Sequence, residues 1–200
     1  LTTWPGAVHD MPGRPTWLGA APSPQRFLKS SGDPVVWPRL VAVCTRVLWN
    51  SNDLAVLTGR SMDWPESTEP LIVAFPAGRR RDGGALAGVD VVPRSPLRWT
   101  SRYATLVTSV YGLGGIDGFN EKGLAGHGLY LQSTDFGVRN PAEPGVHAGM
   151  WLQYLLDQAA TVSEALALMD GLDVVMVGAH GHDATIHLAL EDASGDSAII

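Results

Sequence analysis

The chain carries a single cysteine, Cys44, and an arginine and a carboxylate follow it closely in sequence. Arg60 comes 16 residues after the cysteine, and Asp63 comes 19 residues after it. The thiolate is the attacking form of cysteine, and a nearby guanidinium favours that form. These residue types at this spacing predict a nucleophilic site in which Arg60 stabilises the thiolate.

Cys44 has no histidine near it in sequence, so a general base must come from elsewhere. A cut between Val43 and Cys44 would free the α-amine of the cysteine. A free α-amine has a pKa of about 7.7–8.0, which suits a general base at neutral pH, and Asp63 could orient it through a hydrogen bond. The alternative is that Cys44 is a small buried apolar residue, and that Arg60 and Asp63 form an ion pair closing a hairpin.

A β-hairpin is the element that would hold these residues. Residues 45–49 and 54–58 favour strands, and the sequence NSND at 50–53 is typical of a turn. The strands come in antiparallel groups that do not alternate with helices, so we expect an α+β fold. The other predicted elements are strands at 71–75, 103–111, 124–131, 174–177, 185–190 and 197–200, helices at 150–160 and 163–169, and loops at 78–84 and 117–124.

Composition and charge narrow the function classes. The chain has 200 residues, of which 45% are apolar and 17% charged, a balance typical of one globular domain. Its net charge of −6 argues against nucleic acid and anionic membranes as partners. No run of about 18 apolar residues predicts a membrane-spanning helix. His180 and His182 lack acidic or cysteine partners at ligand spacing, so we expect no metal site.

Residues 1–43 differ from the rest of the chain. They hold seven of the 14 prolines and show no sustained helical or alternating pattern, so we interpret them as an irregular leader or pro-segment. Their last apolar stretch is interrupted by Pro38 and Arg39, which is untypical of a secretory signal and favours a cytoplasmic location. The chain begins with Leu1 and stops at the start of a strand, and we therefore expect it to be part of a longer protein.

Several motifs in the same order resemble the choloylglycine hydrolase and penicillin V acylase family. The resemblance covers residues 44–200, and its motifs are Cys44-Thr45, GRSMDW at 59–64, DGFNEKGL at 117–124 and DASGDSAI at 192–199. Members of this family are N-terminal-nucleophile hydrolases that cleave non-peptide amide bonds. Their fold is a four-layer αββα sandwich of two antiparallel sheets between helices. The resemblance therefore implies that residues 44–200 form the N-terminal part of such a domain.

The resemblance also implies roles for individual residues. Cys44 would be the nucleophile, freed by an autocatalytic cut after Val43, and Arg60 and Asp63 would be its nearest polar supports. Tyr130 would help to form the oxyanion hole. At the position of Tyr130, bile-salt hydrolases resemble one another in having asparagine. The tyrosine of this chain is more similar to the penicillin V acylases. The side chains expected to wall the pocket, or alternatively to pack only within the sheet, are Met62, Trp64, Tyr130 and Leu131.

The expected substrate is a small N-acylated molecule such as penicillin V or an N-acyl homoserine lactone, with no metal or organic cofactor. A conjugated bile salt is the alternative substrate, and an unprocessed, inactive relative is the alternative to an enzyme. The resemblance implies a homotetramer. It also implies further catalytic residues, an asparagine and an arginine, beyond residue 200.

Overall fold

A computed structural model describes residues 44–52, 54–179, 181–183 and 185–200. The predicted leader at residues 1–43 and the potential ligand His180 lie outside the described residues. The described part is mostly strand with two helices. Its elements are β1 (Thr45–Trp49), β2 (Leu57–Ser61), β3 (Leu71–Phe75), β4 (Arg80–Asp82), β5 (Ala85–Leu86), β6 (Val89–Asp90), β7 (Arg98–Thr100), β8 (Thr105–Val110), β9 (Gly114–Asn120), β10 (Ala125–Tyr130), β11 (Gly145–His147), α1 (Ala148–Gln158), α2 (Val162–Ala167), β12 (Asp173–Val175), β13 (Gly178–Ala179), β14 (His182–Asp183), β15 (Ile186–Glu191) and β16 (Ser197–Ile199).

A six-stranded sheet in the order β16-β15-β10-β9-β8-β3 forms the centre of the described residues. Its neighbouring strands are antiparallel. Helix α1 packs on one face, because Leu152, Leu155 and Leu156 recur at helical spacing and are fully buried. They join Leu188 and Leu190 of β15 in the apolar core. This face-and-helix arrangement matches the α+β class predicted from the sequence.

The hairpin β1–β2 is antiparallel, with Thr45 opposite Ser61 and Trp49 opposite Leu57. The hairpin prediction is confirmed, but its second strand begins three residues later than the predicted 54–58. Asn52 explains the shift, since its side-chain oxygen accepts hydrogen bonds from the backbone N–H groups of Leu54 and Ala55. This asparagine turn uses up the residues that were expected to start the strand.

Two predicted loops contain strands. Within 78–84, β4 pairs with β7, because Arg81 is drawn inward to bind Asp157 at 3.2 Å and to stack over Phe75. Within 117–124, β9 continues to Asn120 and only the last residues form the turn. Because β9 contains several glycines, the sequence pattern did not predict that the strand continues here.

The remaining predicted elements are present with shifted ends. The helix expected at 150–160 is α1, and the one expected at 163–169 is α2, whose N-cap Thr161 accepts a hydrogen bond from the Glu164 N–H. None of the described helices is long and apolar enough to cross a bilayer.

Candidate active site

An apolar cavity of about 120 Å³ opens beside the ends of the hairpin strands. Cys44, directly before β1, and Met62, directly after β2, both line it. Other parts of its wall come from the ends of β8 and β10 and the start of α1. The larger apolar side chains there are Trp64, Leu86, Val110, Tyr111, Leu113, Ile116, Tyr130, Val177 and Ile186, and the polar ones are Thr68 and Asp183.

Cys44 reaches this cavity because of the alternation along β1. Cys44, Arg46 and Leu48 are partly buried, whereas Thr45 and Val47 between them are exposed. Side chains two residues apart in a strand share a face. Cys44 therefore lies on the inner face of the hairpin, and the thiol is partly accessible from the cavity.

Two aromatic rings meet edge to face in the cavity wall. The ring centroids of Trp64 and Tyr130 are 5.4 Å apart at an interplanar angle of 67°. The Trp64 indole donates to the Tyr111 hydroxyl at 2.8 Å, and that hydroxyl donates to Glu66 at 2.7 Å. Burial, followed by the hydrogen bond to Glu66, raises the pKa of Tyr111. The wall is therefore a set of neutral rings fixed by polar contacts on their outer side.

Arg60 lies directly behind the cavity wall. It donates to Asp117 at 2.7 Å and to the carbonyl of Gly128 at 3.0 Å, and Gly128 lines the cavity. The alternative in which Arg60 pairs with Asp63 to close the hairpin is wrong, because its carboxylate partner is Asp117 on β9. Arg60 thus connects the hairpin to the sheet.

Asp63 is exposed and accepts a hydrogen bond from the Ser61 hydroxyl at 3.3 Å. That hydroxyl in turn accepts from the backbone N–H of Thr45 at 3.2 Å. Asp63 therefore stands one side chain away from the residue that follows the cysteine. Leu131 does not line the cavity; it is exposed, and its backbone N–H donates to the carbonyl of Thr185.

A row of charged side chains fills the space between the hairpin and the sheet. Arg46 pairs with Glu191, and His127 contacts Glu191 at 2.7 Å and Asp117 at 2.8 Å. Asp117 completes the row by binding Arg60. Burial lowers the pKa of His127, but hydrogen bonds and charge from the two carboxylates outweigh it, and the net shift is upward. Burial raises the pKa of Glu191, but its bonds to His127, Thr58 and Arg46 give a net lowering.

Asn120 and Asp192, which belong to two of the sequence motifs, make hydrogen bonds to the backbone of the helices within the described residues. The Asn120 amide donates to the carbonyls of Leu156 and Ala159, and its oxygen accepts from the N–H groups of Lys122 and Leu124. Asp192 accepts from the Val162 N–H at the start of α2. These side chains join the ends of the helices to the turns of the sheet.

Histidines and carboxylates form no metal-binding group among the described residues. His187, on the same strand as Glu191, has its pKa lowered by burial. His147 precedes α1, is fully buried and has its pKa lowered by the same cause. Both imidazoles therefore favour the neutral form.

The sequence analysis did not single out as site residues the side chains of Arg46, Tyr111, Asp117, His127 and Glu191. Period-two alternation from Cys44 would have placed Arg46 on the cysteine's face. No comparable signal exists for the pairing of Arg46 with Glu191, because 145 residues separate them. Tyr111 has φ of 53°, a left-handed conformation rare for a tyrosine.

Comparisons with known proteins identify the family of the chain. The sequence model of a protein family, the linear amide C-N hydrolases of the choloylglycine hydrolase family, matches residues 44–200. A penicillin V acylase of Pectobacterium atrosepticum is 37% identical over 170 residues, which cover 78% of this chain and 43% of that protein.

Solved structures show the same likeness. A penicillin V acylase from Agrobacterium tumefaciens matches with a TM-score of 0.66 and 35% identity, over 77% of this chain and 45% of that one. A mutant conjugated bile acid hydrolase from Clostridium perfringens matches with a TM-score of 0.63 over 78% of this chain and 47% of that one, but at 20% identity it shows the fold alone. The chain spans less than half the length of these relatives. The family resemblance read from the motifs is confirmed, and the chain belongs to the linear amide C-N hydrolases of the choloylglycine hydrolase family.

Proposed function

We propose that the protein hydrolyses an amide bond in a small N-acylated molecule and that Cys44 is its N-terminal nucleophile. The observation that carries this proposal is the position of Cys44, which lines an apolar cavity together with Trp64 and Tyr130. A buried structural cysteine would pack into the core instead of bordering such a cavity. Membership of an amide hydrolase family supports the same reaction class.

The base in this proposal is the α-amine that a cut after Val43 releases on Cys44. Its pKa of about 7.7–8.0 lets it accept the thiol proton near neutral pH. Asp63 orients the amine, and its link through Ser61 to the residue after Cys44 supports that role. Arg60 supports the site from behind the Gly128 wall.

The reaction proceeds in two steps. The Cys44 thiolate attacks the amide carbonyl, and donors that include the Tyr130 hydroxyl stabilise the oxyanion. The C–N bond then breaks, the leaving amine takes its proton from the α-ammonium, and a thioester remains on the sulfur. Water attacks the thioester, the α-amine accepts the proton of that water, and the carboxylic acid departs as the thiol is restored. No other reactant is consumed.

The acyl group that fits best is aromatic or short and apolar. Met62, Trp64 and Tyr130 offer ring faces and edges and a thioether, which favour a planar acyl group such as that of penicillin V. The greater identity to two penicillin V acylases than to the bile acid hydrolase supports this choice. A conjugated bile salt is the second candidate.

The complete protein would extend the fold further. We propose that the six-stranded sheet and α1 are two layers of the four-layer αββα sandwich, to which later residues add the second sheet and further helices. Later residues would also supply the remaining catalytic asparagine and arginine. A homotetramer is part of the same proposal and is tested by the mass in solution.

The proposal is tested on the protein expressed from its complete gene. Intact mass and N-terminal sequencing should show a chain that starts at Cys44, and penicillin V should be hydrolysed faster than a conjugated bile salt. Cys44→Ala is the matched control and should keep residues 1–43 attached and lose activity. A wild-type chain that retains the leader and cleaves neither substrate would establish an inactive relative. Faster cleavage of the bile salt would reverse the substrate assignment.

A further inference from the structure

His127 occupies a position between two carboxylates on the sheet. Its Nδ1 is 2.8 Å from Asp117 on β9, and its Nε2 is 2.7 Å from Glu191 on β15. An ionised carboxylate can only accept hydrogen bonds, whereas a neutral imidazole has only one N–H to donate. With both carboxylates ionised, both contacts are hydrogen bonds only if His127 is a protonated imidazolium with two donors.

Each carboxylate also binds an arginine of the hairpin. Asp117 binds Arg60 of β2 at 2.7 Å, and Glu191 binds Arg46 of β1. Arg46 and Arg60 are opposite each other in the hairpin register. The five groups therefore alternate in sign from one hairpin strand, across three strands of the sheet, to the other hairpin strand.

The row is largely screened from water. The side chains of Arg46, Arg60 and His127 are only 10–12% exposed, and Glu191 is 3% exposed. Breaking one member of a buried charge network costs more than the loss of a surface ion pair, because the partner remains buried without compensation. The central imidazolium is the one member whose charge can be lost near neutral pH.

We propose that His127 is a positioning residue for the nucleophile: its imidazolium holds both carboxylates, and through Arg46 and Arg60 it keeps the Cys44 hairpin seated on the sheet. The proposal rests on the proposed function of Cys44. Loss of the proton would turn a ring lone pair towards one carboxylate, and the repulsion would displace that carboxylate together with the arginine that it binds. The end of the hairpin that bears Cys44 and Met62 would then shift within the cavity wall.

The charged groups that face His127 come from each strand packed against it. They are Asp117 from β9 and Glu191 from β15, with Arg60 and Arg46 behind them. Burial lowers the pKa of His127 and the carboxylates raise it to a net upward shift. At pH values below the raised pKa, the imidazolium therefore keeps the hairpin on the sheet. This contact is lost as the pH rises through the pKa of His127.

The test compares the mature full-length enzyme with His127→Gln. The ratio of wild-type kcat to variant kcat on penicillin V is measured against pH, which cancels the titrations of Cys44 and the α-amine common to both. We expect a ratio of about 10 to 100 at low pH, because small misplacement of a reacting group costs that much, and a fall towards 1 as the pH rises through the His127 pKa. KM should change little. A ratio that does not vary with pH, or stays near 1 throughout, overturns the proposal.

His187→Gln is the matched control, since His187 lies on the same face of β15 as Glu191 and its Nδ1 has no hydrogen-bond partner among the residues that the structure describes. It should keep the wild-type kcat profile, and a pH-dependent ratio in this variant would overturn the assignment to His127.

A separate measurement needs no substrate and so does not depend on the proposed activity. Amide hydrogen exchange in the wild type should show residues 45–49 and 57–61 losing protection relative to 105–110 as the pH rises. Equal protection across that range overturns the proposal even if His127→Gln fails to fold.

Discussion

Asn120 shows how a single side chain can be tied to a turn and a helix end at once. It is buried, its amide donates to the carbonyls of Leu156 at 2.8 Å and Ala159 at 2.7 Å, and its oxygen accepts two backbone N–H groups. Those carbonyls lie at the end of α1, where helical partners are missing. Asn120 therefore substitutes for the absent turn of the helix and fixes the β9–β10 connection.

We expect Asn120→Ala to lower the free energy of unfolding by about 2–4 kcal/mol, because it leaves several buried backbone groups without partners. Urea unfolding of the full-length protein measures the loss. Lys122→Ala in the same turn is the control and should stay within about 0.5 kcal/mol of wild type, since Lys122 is exposed. Equal stability of the two variants would contradict the bridging role of Asn120.

At the scale of elements, strand β9 is shaped by the helix that covers it. A Cβ on Gly118 would lie 2.7 Å from the Leu106 carbonyl oxygen and 3.1 Å from Leu156 on α1. Glycine here allows α1 to approach the sheet closely, and the neighbouring Asp117 consequently faces the hairpin. Gly118, one of the residues that made 117–124 look like a turn, is the residue that lets this strand pack against α1.

Gly118→Ala should destabilise the protein by about 1–3 kcal/mol, because the backbone carbonyl of Leu106 cannot move away without disturbing the sheet. Gly59→Ala in β2 is the matched control, since a Cβ there would meet no atom of the described part of the chain within 4 Å. Thermal or urea unfolding of both variants tests the difference. If Gly118→Ala left the free energy of unfolding unchanged, the sheet and α1 would have to separate easily.

The charged row under the hairpin gives the stability a defined pH window. The pKa of His127 is raised above 6.5 in the folded state, so its contribution is complete below 6.5 and is lost as the pH rises through the raised value. The pKa of Glu191 is lowered below 4.5, so its contribution is present above 4.5 and is lost as the pH falls through the lowered value.

We therefore expect the Tm difference between the wild type and His127→Gln to be greatest between pH 4.5 and 6.5 and to shrink on the alkaline side. Calorimetry of the two proteins across pH 4–9.5 measures it. A Tm difference that grows with pH would show that His127 is neutral when folded.

At the scale of the whole molecule, most of the described strands and helices were predictable from local sequence patterns. The hairpin, the strand at 71–75 and the helix bearing Leu152 were predictable because alternation, turn residues and helical spacing are short-range signals. The cavity residues Cys44, Met62, Trp64 and Tyr130 were named from the motifs and from the family resemblance that they carry. The partners of Arg60 and the tilt of Leu131 out of the cavity were not predictable, since they depend on contacts between distant parts of the chain.

The separation of Arg46 from Glu191, 145 residues along the chain, bears on the order in which the protein is made. The hairpin leaves the ribosome well before β15, and Asn50 waits equally long for the Gly195 carbonyl that it binds. Because these contacts tie the hairpin to residues 191 and 195, we expect the hairpin that begins beside Cys44 to be fixed on the sheet only after synthesis has passed residue 195.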